Sequence, residues 1–131
     1  MEIWPSSHYS PVHSHADSNA VIRVLHGSIH VSLFPFLGEG TTFAEADFEK
    51  DDITCLSPDL NQIHQLRNNT SDVCITIQCY MYDANIDKHY DFFDYLDDNK
   101  QIVQYEPDSD MDFVEFKERM KKEWNSKKNP N

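Results

Sequence analysis

Residues 20–34, AVIRVLHGSIHVSLF, predict two short β-strands that meet at Gly27. The stretch is rich in Val, Ile and Leu, and a glycine inside such a run indicates a turn between strands or a bulge. After Gly27, apolar residues alternate with Ser and His, which is the pattern of a strand with one buried face. We therefore expect β-structure at the centre of this chain.

Further strands are predicted over residues 41–43, 53–56, 63–66, 73–82 and 102–105. The strongest by β-propensity is residues 73–82, VCITIQCYMY. Turn signals such as Gly38-Glu39-Gly40 and Ser57-Pro58-Asp59 separate the strands, and this arrangement indicates a sandwich or barrel. The acidic and aromatic residues 83–99 are expected to form a covering loop.

The C-terminal part of the chain predicts an α-helix over residues 109–126. Ser109 is a suitable N-cap, and acidic residues follow it in the first turn. Four apolar residues recur at helical spacing and are expected to pack on the barrel: Phe113, Phe116, Met120 and Trp124. The prediction is one all-β domain over the 131 residues, with a barrel over residues 1–108 and this C-terminal helix.

Charge and composition exclude several partners. The formal net charge of −12 argues against nucleic acid and anionic membranes, because both would repel the protein. No stretch approaches the roughly 20 apolar residues of a membrane span, and residues 1–11 lack the pattern of a secretory signal. Three cysteines without CxxC spacing predict reduced thiols, buried in strands, in a cytoplasmic protein.

Three histidines carry the clearest chemical signal. His13 and His15 are two residues apart, so in a strand their side chains lie on one face. A third imidazole, from His64 on another predicted strand, could complete three neighbouring positions around one metal ion. Such a site leaves other coordination positions open for water, substrate or dioxygen.

The spacing around these histidines resembles the two sequence motifs of the cupin superfamily. His13-x-His15 with Gly27 matches the first motif, and Pro58, His64 and Asn68 match the second. The resemblance implies a cupin jelly-roll barrel. Ala20 stands where many cupins place a ligating Glu, which points to the cupins that bind metal through three histidines. The segment from Pro58 to His64 is one residue longer than the usual pattern.

Within the superfamily the chain resembles thiol dioxygenases of the cysteine dioxygenase type I. The matching stretches are residues 11–18, 25–27 and 63–68, and the strand that ends at Tyr80. The resemblance implies one Fe(II) per chain held by the three histidines, with Tyr80 beside a bound small thiol and O2. It also implies a short form without the N-terminal segment that holds the family's carboxylate-binding arginine.

Three further residues are substrate-site candidates. Thr76 and Gln78 occupy the positions of the family's Ser and His partners of the tyrosine, and they share a strand face with Tyr80. Arg23 is a candidate for binding a substrate carboxylate if it faces inward. Cys79 then faces the opposite way from Tyr80.

Other functions remain open at this stage. The same ligands suit a cupin of another reaction class, such as an isomerase or a non-thiol dioxygenase, with Zn, Ni or Mn as the metal. A catalytically degenerate cupin is a further alternative. The β edges need cover, so a homodimer is also expected.

Overall fold

The computed structural model describes residues 1–15, 18–38, 40–81, 93–105 and 113–128. In chain order, the elements of these residues are β1 (Glu2–Trp4), β2 (Asn19–His26), β3 (Ser28–Leu33), β4 (Ala44–Glu49), β5 (Ile53–Leu56), β6 (His64–Arg67), β7 (Cys74–Met81), β8 (Phe93–Leu96), β9 (Ile102–Tyr105) and α1 (Phe113–Lys128). The structure is therefore mostly β, as predicted, with a C-terminal helix.

The strands form antiparallel sheets. One sheet has the order β1-β7-β2-β5, a second has the order β4-β3-β6, and β8 pairs with β9. Residues 9–13 run between β6 and β8, because His13 bridges both His64 and Tyr95. The chain segment that carries His13 is thereby held between two strands.

A shared hydrophobic core joins the two larger sheets. Its buried members come from four strands, and they are Val24, Ile29, Val31, Leu66 and Cys74. Along β2 the even-numbered residues from Ala20 to Val24 are buried, and the odd-numbered residues from Val21 to Leu25 are exposed. This alternation follows from the two-residue period of a strand and gives the sheet one inner and one outer face.

Gly27 makes the turn between β2 and β3, and the register also shifts between Val24 and His26. Its φ of +73° lies in the left-handed region, which glycine adopts without steric cost. A Cβ at this position would lie 2.6 Å from the carbonyl oxygen of Val73. Of the two alternatives predicted for this glycine, the turn is confirmed, and the register irregularity lies just before it in β2.

Several sequence predictions need correction. Residues 93–96, which were expected to belong to a covering loop, form strand β8, while residues 82–92 lie outside the described part. The strand expected from residue 41 begins at Ala44, and β1 was not predicted at all. Both β4 and β1 are short edge strands with few buried apolar residues, so their sequences carry little strand pattern.

The C-terminal helix begins at Phe113 and ends at Lys128. Its expected N-cap, Ser109, lies outside the described residues, as do the side chains of the apolar stripe. Among the described residues, no helix has the length and apolar character needed to cross a membrane.

The three cysteines are free, as expected, but only Cys74 is buried. Cys55 and Cys79 are exposed, because each lies on the outer face of its strand. The expectation of three buried thiols is wrong for these two.

Candidate metal centre

The structure brings His13, His15 and His64 together. Their ring centroids are 4.7–4.8 Å apart, and one nitrogen from each ring lies within 4.8 Å of the others. Within the described part of the chain, no other group of His, Cys, Asp or Glu side chains is close enough to share an ion. The three side chains could therefore hold one metal ion.

Backbone pairing explains this convergence. His13 and His64 exchange backbone hydrogen bonds of 3.1 Å across an antiparallel bridge. Their side chains consequently lie side by side, as expected for directly opposed residues. His15 follows two residues after His13 and is buried, as is His64.

Two of the imidazoles have their tautomer determined by backbone carbonyls. His13 Nδ1 donates to the carbonyl of Pro11 at 3.0 Å, and His64 Nδ1 donates to that of Asn61 at 3.1 Å. A carbonyl oxygen can only accept, so Nδ1 carries the proton in both rings. Each Nε2 therefore keeps a lone pair that can bind a metal. In metal-ligating histidines the other ring nitrogen typically donates its N–H to a carbonyl or carboxylate, as Nδ1 does here.

Burial keeps the histidines neutral. Burial, together with the neighbouring His13 and His64, lowers the pKa of His15 to about 2. Burial and, to a smaller extent, His13 lower the pKa of His64 to about 4, although the hydrogen bond to Asn61 opposes this shift. The pKa of His13 is likewise lowered by burial. Neutral imidazole is the form that binds metal, so the set is ready to coordinate an ion at neutral pH.

The spacing of two nitrogens suits a shared ion. His15 Nε2 and His64 Nε2 are 3.2 Å apart. Two metal–nitrogen bonds of about 2.0–2.1 Å, at angles between a right angle and the tetrahedral angle, place their nitrogens about 2.8–3.4 Å apart. The residues present therefore fit a metal ion without rearrangement of this pair.

Tyr80 lies beside the histidines. Its ring stacks on that of His15, with centroids 5.3 Å apart and an interplanar angle of 20°. Across β2 and β7 it is paired with Ala20, the residue that stands where many cupins have a Glu. The Tyr80 hydroxyl donates to Gln78 Oε1, so Gln78 and Tyr80 are in contact as their shared strand face predicts.

Two other candidates lie elsewhere. Thr76 is fully buried, and its hydroxyl accepts a 3.1 Å hydrogen bond from the indole of Trp4. Arg23 is on the outer face of β2, where it forms a 2.7 Å ion pair with exposed Asp51. This placement corrects the expected inward orientation of Arg23, because Ala20, Ile22 and Val24 occupy the inner face.

A small cavity lies between the two larger sheets and includes His64 in its lining. Its volume is about 110 Å³, and the mostly apolar lining comes from all five strands from β2 to β6, with Glu45 and Asp52 as its acidic members. Of the three histidines, only His64 lines this cavity. Among the described residues, no lysine or arginine lines it.

Sequence reasoning missed the role of Asn61. Its carbonyl orients His64, and its φ of 58° is in the left-handed region that Asn tolerates better than most residues. The turn that contains it includes the extra residue between Pro58 and His64. An Asn just before a motif histidine was the available signal.

Asn68, the last residue of the second motif, is a structural anchor. It is fully buried, and its amide donates to the carbonyls of Trp4, Pro5 and Asp72. It thereby ties the N-terminal segment to the turn that precedes β7.

Glu2 was also missed. Its carboxylate accepts a hydrogen bond from the Gln78 side chain, and burial raises its pKa. Glu2, Gln78 and Tyr80 thus form a continuous series of hydrogen bonds.

Comparison with known proteins supports the fold. No family model and no curated protein match the chain, but 63 chains of solved structures do. A sugar phosphate isomerase of the cupin superfamily from Silicibacter pomeroyi matches with a TM-score of 0.51 and 14% identity. The match covers 86% of this chain and 69% of that one. At this identity the likeness shows the fold, which is a cupin barrel.

A second match is the protein TT1209 from Thermus thermophilus, with a TM-score of 0.45 and 19% identity. It covers 60% of this chain and 65% of that chain. The chain thus spans slightly less than two thirds of the length of that protein.

Proposed function

We propose that this protein is a metal-dependent cupin enzyme in which His13, His15 and His64 hold one divalent ion. The observation that carries the proposal is the convergence of three neutral imidazoles, two of them oriented by backbone carbonyls. Imidazole ligands suit Fe(II), Zn or Ni, and Mn is a further candidate. With three protein ligands, positions remain open for a substrate.

Metal binding is tested by calorimetric titration of the metal-free protein with Fe(II), Zn, Ni and Mn in turn. We expect one ion per chain and a loss of at least 100-fold in affinity for His64→Ala. His30→Ala is the matched control, because His30 lies on the outer face of β3 with Asp47 at 2.8 Å. Equal affinity of His64→Ala and wild type, or no metal uptake at all, would overturn the proposal.

Within this class we propose an iron-dependent thiol dioxygenase as the reaction. The absence of a carboxylate from the described ligand set and the stacking of Tyr80 on His15 favour it. Bound Fe(II) would supply the redox chemistry that combines a thiol with O2, so that RSH and O2 give the sulfinic acid RSO2H. The protein itself would keep the three ligands neutral and place Tyr80 next to the substrate.

The proposed substrate is a small thiol, either cysteine or a related compound without a carboxylate. Arg23 is directed away from the centre, and the described cavity lining lacks basic side chains. Neither feature provides a cation for a carboxylate or a phosphate. This argues for an aminothiol such as cysteamine over a sugar phosphate.

Oxygen uptake by the iron-loaded protein tests the reaction. We expect consumption of one O2 per thiol with cysteamine or cysteine, and no uptake by His13→Ala. Metal binding without any thiol-dependent uptake would reject the dioxygenase and leave an isomerase or another cupin reaction. Turnover by the Zn-loaded protein would reject it as well, since zinc has no redox chemistry.

The location, partners and assembly of the protein are also proposals. We propose a cytoplasmic protein, consistent with three free cysteines, that acts on small molecules rather than on nucleic acid or membranes. We also propose a single domain and a homodimer. The outer face of the four-stranded sheet exposes Val21, Ile53 and Ile77, and its Arg23 is already paired, so two acidic chains could meet there with little repulsion.

A further inference from the structure

A series of hydrogen bonds runs from strand β1 to Tyr80, whose ring lies beside the metal centre. Gln78 Nε2 donates to Glu2 Oε2, and the Tyr80 hydroxyl donates to Gln78 Oε1. The ring of Tyr80 then stacks on His15. Both hydrogen bonds of this series are partly buried. Strand β1 is held against β7 by backbone pairing, in which Glu2 lies opposite Thr76.

The chemistry of these groups determines the direction of each bond. A carboxylate accepts hydrogen bonds but has none to donate, so it must face the NH2 end of the Gln78 amide. The carbonyl end of that amide consequently faces Tyr80. Because a phenol has one proton, the bond to Gln78 uses it and leaves the hydroxyl only its lone pairs for another partner.

We propose that Glu2 is a positioning residue that acts through Gln78 to make Tyr80 a hydrogen-bond acceptor toward the substrate. The proposal rests on the proposed function for the identity of the site, and it specifies the ligand that Tyr80 selects. That ligand carries a donor, such as an ammonium or hydroxyl group, on the side of Tyr80.

Reversal of the charge at position 2 provides the test. In Glu2→Lys an ammonium donor replaces the acceptor, so the Gln78 amide must turn and present its NH2 end to Tyr80. Tyr80 then changes from donor to acceptor. Adding Gln78→Glu to Glu2→Lys should restore the original state, because a carboxylate can accept from both neighbours.

The measurement is the intensity ratio of the tyrosine Fermi doublet in the Raman spectrum of the metal-free protein. The ratio is low for a phenol that donates and high for one that accepts. The chain has 6 tyrosines, so the Tyr80 contribution is obtained by subtracting the spectrum of Tyr80→Phe. Glu118→Lys, on the exposed surface of α1, is the control for an equal change in net charge.

We expect a low ratio for Tyr80 in wild type and in Glu118→Lys, a high ratio in Glu2→Lys, and a low ratio again in the double variant. A wild-type ratio typical of an acceptor would overturn the proposal. So would an unchanged ratio in Glu2→Lys, with circular dichroism confirming the fold. If Glu2→Lys does not fold, Glu2→Leu is used, and it should shift the ratio partway, since nothing then orients the amide.

Calorimetry separates this proposal from the proposed function. Glu2→Lys should bind metal with wild-type affinity, because Glu2 contacts none of the three histidines. If wild type binds no metal, the enzyme proposal fails, and the Raman result still decides whether Glu2 positions Tyr80.

Discussion

At the scale of single residues, the candidate centre depends on where protons lie. His13 and His64 present their Nε2 lone pairs because carbonyls of Pro11 and Asn61 accept the Nδ1 protons. Asn61 provides its carbonyl only while its backbone stays in the left-handed region. The histidines identify the site, and the backbone of their neighbours orients them.

We predict that Asn61→Val destabilises the protein by about 1–2 kcal/mol, because β-branched residues are strained in the left-handed region. Metal affinity should also fall, since a displaced carbonyl no longer orients His64. Urea unfolding and calorimetric titration measure the two effects. Asn61→Gly is the matched control and should retain metal affinity; equal behaviour of the Val variant and wild type would contradict this role.

At the scale of secondary structure elements, the β2–β3 turn sets the register of both larger sheets. Gly27 is in the left-handed region, and a Cβ at this position would collide with the carbonyl of Val73, the residue before the strand that carries Tyr80. A substitution at this turn would therefore displace β2, β3 and β7 together.

We predict that Gly27→Ala costs about 2–4 kcal/mol, from the positive φ and from the displacement of Val73 by the new methyl group. The denaturant midpoint should fall accordingly. Gly38→Ala is the control: its Cβ would meet only the exposed ring of Phe36, which can move, so the change should stay within about 1 kcal/mol. A Gly27→Ala midpoint equal to that of wild type would show that the turn relaxes.

At the scale of the whole molecule, burial of the histidines links folding to protons and to metal. In the unfolded chain each histidine has a pKa near 6.5, whereas in the folded protein His64 is near 4 and His15 near 2. Between these values the unfolded state binds more protons. Stability therefore falls as the pH decreases below about 6.5.

We predict that the metal-free protein loses up to about 1.4 kcal/mol of stability per pH unit for each buried histidine as the pH falls from 6.5 to 4. Urea unfolding across this range measures the slope. A variant with His15→Gln and His64→Gln should show a shallower slope, while His8→Gln, at an exposed position, should keep that of wild type. A slope that is the same in all three proteins would refute this linkage.

We also predict that a bound metal raises the stability of the folded protein by about 2.7 kcal/mol at a free concentration 100 times its dissociation constant. At a fixed free metal concentration the gain should persist down to about pH 4 and shrink only below it, because protons compete for a ligand nitrogen only near its folded-state pKa, which is about 4 for His64. Thermal unfolding with and without metal measures the effect. A gain that persists in His64→Ala would place the bound metal elsewhere.

The alternation of apolar residues around Gly27 and the strand over residues 73–82 were enough to predict the barrel, because burial of one strand face leaves a period of two in the sequence. The spacing of His13, His15 and His64 was likewise enough to nominate the site. Strands β1, β4 and β8 left weaker signals, since edge and short strands bury few side chains.

Arg23 and Glu2 could not be placed from sequence, because strand parity states which residues share a face but not which face is inward. Contacts between distant strands settled these questions. The backbone bridge between His13 and His64 joins residues 51 positions apart, and Glu2 reaches Gln78 across 76. The sequence by itself determines which residue types share a strand face and at what spacing. Which face is buried, and which group each side chain hydrogen-bonds, depends on how distant strands pack together.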